Sequence, residues 1–185
     1  MECLKRYDFL TQIECDTIVN EILSLEDAVK RLGPDEYPDT SEDSLTGRYK
    51  VFNYLNIRSI NTIICPKLKE IFGPCVVQCW ANIFRQGEGI DEHRHIYDKS
   101  TNTALIGSGN IFLYGDPTTG TYYEGVKHDN KVGELSLFPS DMLHGVPKNT
   151  TGDMRISMAI DVHTGDEVLL NNVVSEMPKR FFYIR

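Results

Sequence analysis

From Cys75 onward the chain breaks into short apolar runs rich in Val, Ile and Phe, each closed off by Gly, Asn, Asp or Pro. No other sequence feature constrains the fold as strongly. Runs this short suit strands better than packed helices, and the residues between them are those that supply tight turns. There are about eight of them, at 75–84, 93–97, 103–114, 121–124, 134–138, 142–146, 155–162 and 181–184. So many short strands in one segment predict a mainly β fold of two packed sheets, a jelly roll.

The residues ahead of Cys75 have a different pattern. Thr11-Gln12-Ile13-Glu14 is a capping box: the Thr11 hydroxyl can accept from the Glu14 amide, and the Glu14 carboxylate can reach back to the Thr11 amide. Behind it Ile13, Ile18, Val19, Ile22, Leu23 and Leu25 fall close to one helical stripe, which predicts a helix over about 12–31 that stops at Gly33-Pro34. Segment 33–47 is rich in Pro, Asp, Glu, Ser and Thr and predicts an exposed acidic loop. An extended piece is expected over 49–55 and a second helix over about 59–72, with Pro66 breaking that helix or opening a new first turn. Gly73-Pro74 ends it, and both helices are expected on the outside of one sheet.

A chain of 185 residues predicts one domain, with a helical part over about 1–74, a jelly-roll core over about 75–163 and a C-terminal extension over 164–185. Hydrophobic residues at 41% and charged residues at 25% argue against a disordered chain. There is no apolar stretch of roughly 18 residues, so no membrane span is expected. The net charge of -8 makes nucleic acid an unlikely partner, because binding to phosphate backbones needs clustered Lys and Arg. No apolar segment follows the charged start, which predicts a cytoplasmic protein without a signal peptide. Cys3, Cys15, Cys65, Cys75 and Cys79 show no Cys-x-x-Cys spacing and are expected to be reduced thiols, several of them buried.

Chemistry concentrates at three of the five histidines. In a strand, His93 and His95 at i and i+2 point to one face and can converge. His144 lies further along, in Asp141-Met142-Leu143-His144. Three imidazoles on a β scaffold offer a face to a divalent transition metal. On a strand, Arg155, Ser157 and Ala159 share one face and Ile156, Met158 and Ile160 the other. A guanidinium pointing inward needs a partner, and a carboxylate held by Arg155 and Ser157 together is the natural one.

Order and spacing carry a resemblance. Trp80-x-Asn82-x-Phe84-x-x-Gly87 precedes His93-x-His95, then comes Gly133-Glu134-Leu135-Ser136-Leu137-Phe138-Pro139-Ser140 with Leu143-His144-Gly145-Val146, then Arg155-x-Ser157. This resembles the 2-oxoglutarate- and iron(II)-dependent oxygenases, specifically their prolyl-hydroxylase-like group, and the opening Asp8-Phe9-Leu10-Thr11 is similar to that family's N-terminal helix. The resemblance implies a double-stranded β-helix, iron(II) on His93, His95 and His144, and 2-oxoglutarate with its far carboxylate on Arg155 and Ser157. It also implies that Asn82 can hydrogen-bond the cosubstrate, and that a C–H bond of a peptide or small molecule is hydroxylated with release of succinate and carbon dioxide. His95 stands where most of the family has a carboxylate, which raises the charge of the site by one. Asp91, Asp98 or Asp141 could supply an oxygen ligand instead.

Part of the pattern is similar to the cupins, which share the jelly roll. Gly87 with His93-x-His95 looks like their first motif, and Gly133, Pro139 and His144 like their second. No Glu follows His95 at cupin spacing, and only Arg155-x-Ser157 separates the two families. A jelly-roll binding module with incidental histidines is the other alternative. Tyr97, Tyr122 and Tyr123 are candidates for the cavity mouth, whereas Tyr114 is expected to pack ordinarily, in the core or at a rim. His128 and His163 are expected to face solvent. Gly107-Ser108-Gly109 lacks the Lys and the helix of a phosphate loop.

Overall fold

Alternation along a few long strands determines the architecture. The computed structural model describes residues 4–33, 45–95, 104–164, 171–172, 174–175 and 177–185. On strand β2 (Cys75–Phe84), Cys75, Val77, Cys79, Ala81 and Ile83 join an apolar core shared with the helices. Trp80, Asn82 and Phe84 face the opposite way, onto a cavity. Strand β9 (Arg155–Thr164) repeats the division: Ile156, Met158, Ile160 and Val162 enter the same core, and Arg155, Ser157, Ala159 and Asp161 do not. Both faces are buried, so the strands are not the half-wet kind found at a surface.

Ten strands are present among the described residues. The others are β1 (Lys5–Asp8), β3 (Ile90–His93), β4 (Ala104–Tyr114), β5 (Thr121–Tyr123), β6 (Val126–His128), β7 (Glu134–Phe138), β8 (His144–Val146) and β10 (Phe182–Ile184). A six-stranded sheet has the order β1-β7-β4-β9-β2-β10 and a four-stranded sheet the order β3-β8-β5-β6, every pairing antiparallel. Helices α1 (Gln12–Lys30) and α2 (Arg58–Phe72) cover the apolar face of the larger sheet through Ile18, Ile22, Val29, Ile60, Ile64 and Leu68. The expected mainly β jelly roll with flanking helices is the fold observed.

Local expectations fare unevenly. The capping box forms as read, with Glu14 accepting from the Thr11 amide at 2.8 Å. Ile13, placed on the buried stripe, is 78% exposed, because the stripe that packs is Cys15, Ile18, Ile22, Glu26 and Val29. Pro66 does not break α2: it is exposed, and so is Thr62, whose carbonyl loses its helical partner on the side that water reaches. The expected extended piece at 49–55 is instead a turn followed by a 3-10 helix at Tyr54–Asn56, capped by Asn53. Leu45, Thr46 and Arg48, at the end of the expected acidic loop, are buried, and 34–44 lie outside the described residues. Strands β1 and β6 were not anticipated, since each is short and largely polar. The strand expected at 181–184 in the C-terminal extension forms as β10, paired to β2.

The described thiols, Cys15, Cys65, Cys75 and Cys79, are free. Burial pushes Cys15 and Cys65 up to about 11 and Cys75 to about 12, so they are inert apolar groups.

Gly133 ties the N-terminal segment to the sheet. Its carbonyl accepts from the amides of Phe9 and Leu10 at 3.0 and 2.8 Å, and its own amide donates to Phe112 O at 2.8 Å. Its φ is +80°, and a Cβ there would collide with the Leu10 carbonyl oxygen. Gly133→Ala is therefore expected to cost about 2–3 kcal/mol. A thermal melt should show it as a drop of about 4–12 °C, and an unchanged midpoint counts against this account of the turn.

Candidate metal centre

Strand register brings the first two rings together. His93 ends β3 and His144 begins β8, and the two are direct cross-strand partners. Tyr123 on β5 is the partner of His144 on its other side. Their closeness needs Gly145, where a Cβ would sit 2.9 Å from the Glu92 amide. His95 reaches the cluster differently from the expectation. It lies beyond the end of β3, so the rule that i and i+2 share a face does not apply, and its amide is held by Ser140 O at 2.8 Å. Ring centroids are 4.4 Å apart for His93–His144, 4.8 Å for His95–His144 and 5.4 Å for His93–His95. One ligating atom from each ring can be chosen so that all three lie within 4.8 Å of one another.

The hydrogen bonds orient the rings. His93 Nδ1 is 2.8 Å from Asp91 O, and His144 Nδ1 is 2.9 Å from Met142 O. A carbonyl only accepts, so each Nδ1 carries the hydrogen and Nε2 is the atom each ring would present to an ion. His95 Nδ1 lies 2.6 Å from Asp161 Oδ1 and 2.8 Å from Ser108 Oγ, and the Ser108 hydroxyl donates to the same carboxylate oxygen. Burial holds the His93 imidazole below its ordinary range. Burial, with the neighbouring His95 and His93, holds His144 down to about 3. Both rings are thus neutral at neutral pH, the form a metal requires. Among the described residues no carboxylate joins the cluster. Asp91 turns its backbone carbonyl to His93, Asp141 is exposed, and Asp98 lies outside the described residues.

The rings open onto a cavity walled by Trp80, Asn82, Phe84, Thr121, Tyr123 and Phe138. Arg155 lies directly behind this wall and is 1% exposed. Its guanidinium sits 5.7 and 5.5 Å from the ring centres of Phe84 and Phe112. Nη1 donates to Ser157 Oγ at 3.3 Å and Nη2 to Thr121 Oγ1 at 3.1 Å, while Nε has no partner. No carboxylate pairs with it among the described residues. Burial lowers it to about 10, which still leaves it charged at neutral pH. Asn82, beside Ser157 in register, has an Oδ1 without a partner. On β5, Tyr123 lies beside His144 and Thr121 beside Arg155, two strand residues or roughly 7 Å along.

Other expectations are corrected here. Tyr123 is no mouth residue: it is 5% exposed, and burial raises its hydroxyl to about 12. Inward and outward positions alternate on β5, so Tyr122 is the more exposed of the two. Tyr97 lies outside the described residues, and Tyr114 is 45% exposed, as rim packing predicts. His163 is buried against Phe181, the residue just before β10. His128 is half-buried on the Tyr123 ring. Sequence reasoning missed Asp161, Ser108 and Thr121. For Asp161 the signal was its parity with Arg155, Ser157 and Ala159 on one strand.

No family model and no curated protein sequence matches the chain. Solved structures do. The 2-oxoglutarate complex of a viral collagen prolyl hydroxylase from Paramecium Bursaria Chlorella virus-1 is similar over 88% of this chain and 96% of that one, at 14% identity and a TM-score of 0.57. A Trichoplax adhaerens prolyl hydroxylase in complex with a hypoxia inducible factor peptide fragment is similar over 88% and 84%, at 12% identity and a TM-score of 0.60. The nickel complex of the non-heme monooxygenase ThoJ is similar over 92% and 90%, at 18% identity and a TM-score of 0.57. The fold is therefore the double-stranded β-helix of the prolyl hydroxylases and related non-heme oxygenases. No described helix is long and apolar enough to cross a membrane.

The histidines give the metal-free protein a pH dependence. Unfolded, His144 titrates near 6.5; folded, it resists protonation until about pH 3. Between those values the unfolded chain binds the extra proton, so acidification favours unfolding, and His93 acts in the same direction. Denaturant titrations should show up to roughly 2 kcal/mol lost to His144 between about pH 6.5 and 5. His144→Gln should flatten that slope, and an equally steep variant counts against the buried neutral ring.

Proposed function

We propose that the protein is an iron(II)- and 2-oxoglutarate-dependent dioxygenase that hydroxylates a C–H bond of a peptide or small-molecule substrate. One observation carries the proposal: a buried guanidinium with no anion stands behind the cavity onto which three imidazoles open. Leaving such a cation unpaired costs several kcal/mol. A ligand carboxylate removes that cost, and a short dicarboxylic acid suits the two-residue offset between His144 and Arg155 along β5. A cupin-type enzyme without 2-oxoglutarate, or a plain binding module, gives Arg155 nothing to hold.

The donor set fits the metal, since imidazole suits iron and three ligands on one side leave positions open. His93, His95 and His144 would hold iron(II), and Arg155, Ser157 and Asn82 would hold 2-oxoglutarate. When bound, this pair supplies the oxidation: dioxygen gives one atom to the cosubstrate, which leaves as succinate and carbon dioxide, and one atom to the substrate C–H bond. The chain's own residues bind, orient and shield. Arg155 acts by charge and fork geometry, not by proton transfer, because its guanidinium stays protonated. Thr121 and Ser157 fix the fork, and the Phe84 and Phe112 rings keep it in place. Trp80, Tyr123 and Phe138 give the cavity aromatic walls that limit water beside the reacting centre. Titratable groups that could trade protons with substrate are scarce there, so the metal is expected to do the chemistry and the protein the positioning.

The peptide option has support in the similar fold of a prolyl hydroxylase solved with a peptide, and the ThoJ likeness leaves other substrates open. Anaerobic addition of 2-oxoglutarate to the iron(II)-loaded protein should raise a visible charge-transfer band. Arg155→Ala should weaken that binding by roughly 30- to 1000-fold, the loss expected for a buried charge pair, with metal uptake unchanged. Iron-loaded wild type that neither binds 2-oxoglutarate nor converts it to succinate refutes the proposal.

A further inference from the structure

The ring that departs from the usual ligand set is also the one held by a carboxylate. His93 and His144 each direct Nδ1 at a backbone carbonyl, a neutral acceptor. His95 directs Nδ1 at Asp161, 2.6 Å away, with both side chains nearly buried at 11% and 13% exposed. Asp161 also accepts from the Ser108 hydroxyl, which donates to the same oxygen and also touches the ring nitrogen. Asp161 sits on β9 and Ser108 on β4, and they are register partners between the two central strands of the larger sheet. The pairing of these two central strands therefore aims this oxygen at the ring.

A nearly buried carboxylate is expensive unless its charge is used. Three neutral imidazoles give an iron(II) site one more unit of positive charge than two imidazoles and a carboxylate. A carboxylate hydrogen-bonded to the far nitrogen of a ligating ring fixes its tautomer, sets its angle and makes it a stronger donor. Resting on the iron-binding reading above, we propose that Asp161 is a positioning residue for the metal: through His95 it returns to the site the negative charge that a ligating carboxylate would have supplied, and Ser108 holds it in register. The anion is moved one side chain outward. The ring keeps Nε2 bare for the ion and shares its Nδ1 hydrogen with the carboxylate.

The test compares wild type with Asp161→Asn, which keeps the shape and removes the charge. Anaerobic iron(II) titration should show roughly 10- to 100-fold weaker affinity in the variant. With 2-oxoglutarate added, the visible band should move to shorter wavelength, because a less electron-rich iron yields an electron less readily. A carboxylate that merely fills space would alter stability and leave both readouts in place. Unchanged affinity and band position in folded D161N therefore overturn the assignment and leave the proposed activity standing. A wild type that takes up no iron removes the activity itself. Should D161N fail to fold, nitrogen-15 NMR of metal-free wild type near pH 8 decides. His95 must carry hydrogen on Nδ1 with Nε2 bare, and the opposite tautomer overturns the assignment.

Discussion

Everything in this molecule depends on four strands that are buried on both faces. β7, β4, β9 and β2 turn a dry face to α1 and α2, where Leu135, Ile111, Met158, Ala81 and their neighbours pack without polar atoms. Their other face is equally hidden from water but carries Gln78, Asn82, Ser108, Arg155, Ser157 and Asp161. Such side chains ordinarily lie at a surface. Inside, each must be hydrogen-bonded or be destabilising. Gln78 is satisfied at one end of the sheet, by Tyr49 O at 2.8 Å and Arg180 Nε at 3.1 Å, and that end is closed. Asp161 and Ser108 satisfy each other and His95. Asn82 Oδ1 and Arg155 Nε are left over, next to the cavity. The interior is thus sorted along its length into a finished part and an unfinished part.

The unfinished part meets the smaller sheet. Its strands are short, yet two cross-strand pairings suffice, because His144 has His93 on one side and Tyr123 on the other. Neither pairing depends on the histidine chemistry: backbone register sets both, and Gly145 lets the strands close. His95 is the exception. It lies outside the ladder and is held instead by one backbone hydrogen bond and by β4 and β9 of the opposite sheet. The three rings are therefore anchored to both sheets, so the cluster keeps its shape only while the sandwich keeps its spacing.

Strand patterns were the most legible part of the sequence. The long runs at β2 and β9 were readable because apolar residues recur every second position over ten residues in each. What was harder to read had physical causes. β1 and β6 bury little, so their strand character comes from hydrogen bonds to a neighbour and leaves no apolar imprint. Pro66 carries a strong local signal that tertiary packing overrides, since Ile60, Ile64 and Leu68 bury the helix around it. His163 looked solvent-bound because nothing local shows that Phe181, distant in sequence, will lie on it. Within the cavity, the rings and Arg155 stood out by residue type and order. Asp161 did not, although it continues the face of Arg155 and Ser157: an acidic residue near a strand end is ordinary until the long-range pairing with β4 closes it in. His95 was gathered with the right neighbours by the wrong geometry.

The leftover cation has a consequence for the fold as well as for binding. With no anion near it, Arg155 lowers the stability of the empty protein, and replacing it with an apolar residue of similar size would relieve that strain. On the proposed function, the bound cosubstrate would supply the anion that the guanidinium lacks. Any ligand that completes the guanidinium binds the folded chain and not the unfolded one, and so adds RT ln(1 + [L]/Kd) to stability. The same holds for an ion on the three rings, of which His93 and His144 are neutral when folded and thus already in the form that binds. Stability and occupancy are coupled at both ends of one cavity, while the dry helical face of the sheet contributes to the fold independently of it.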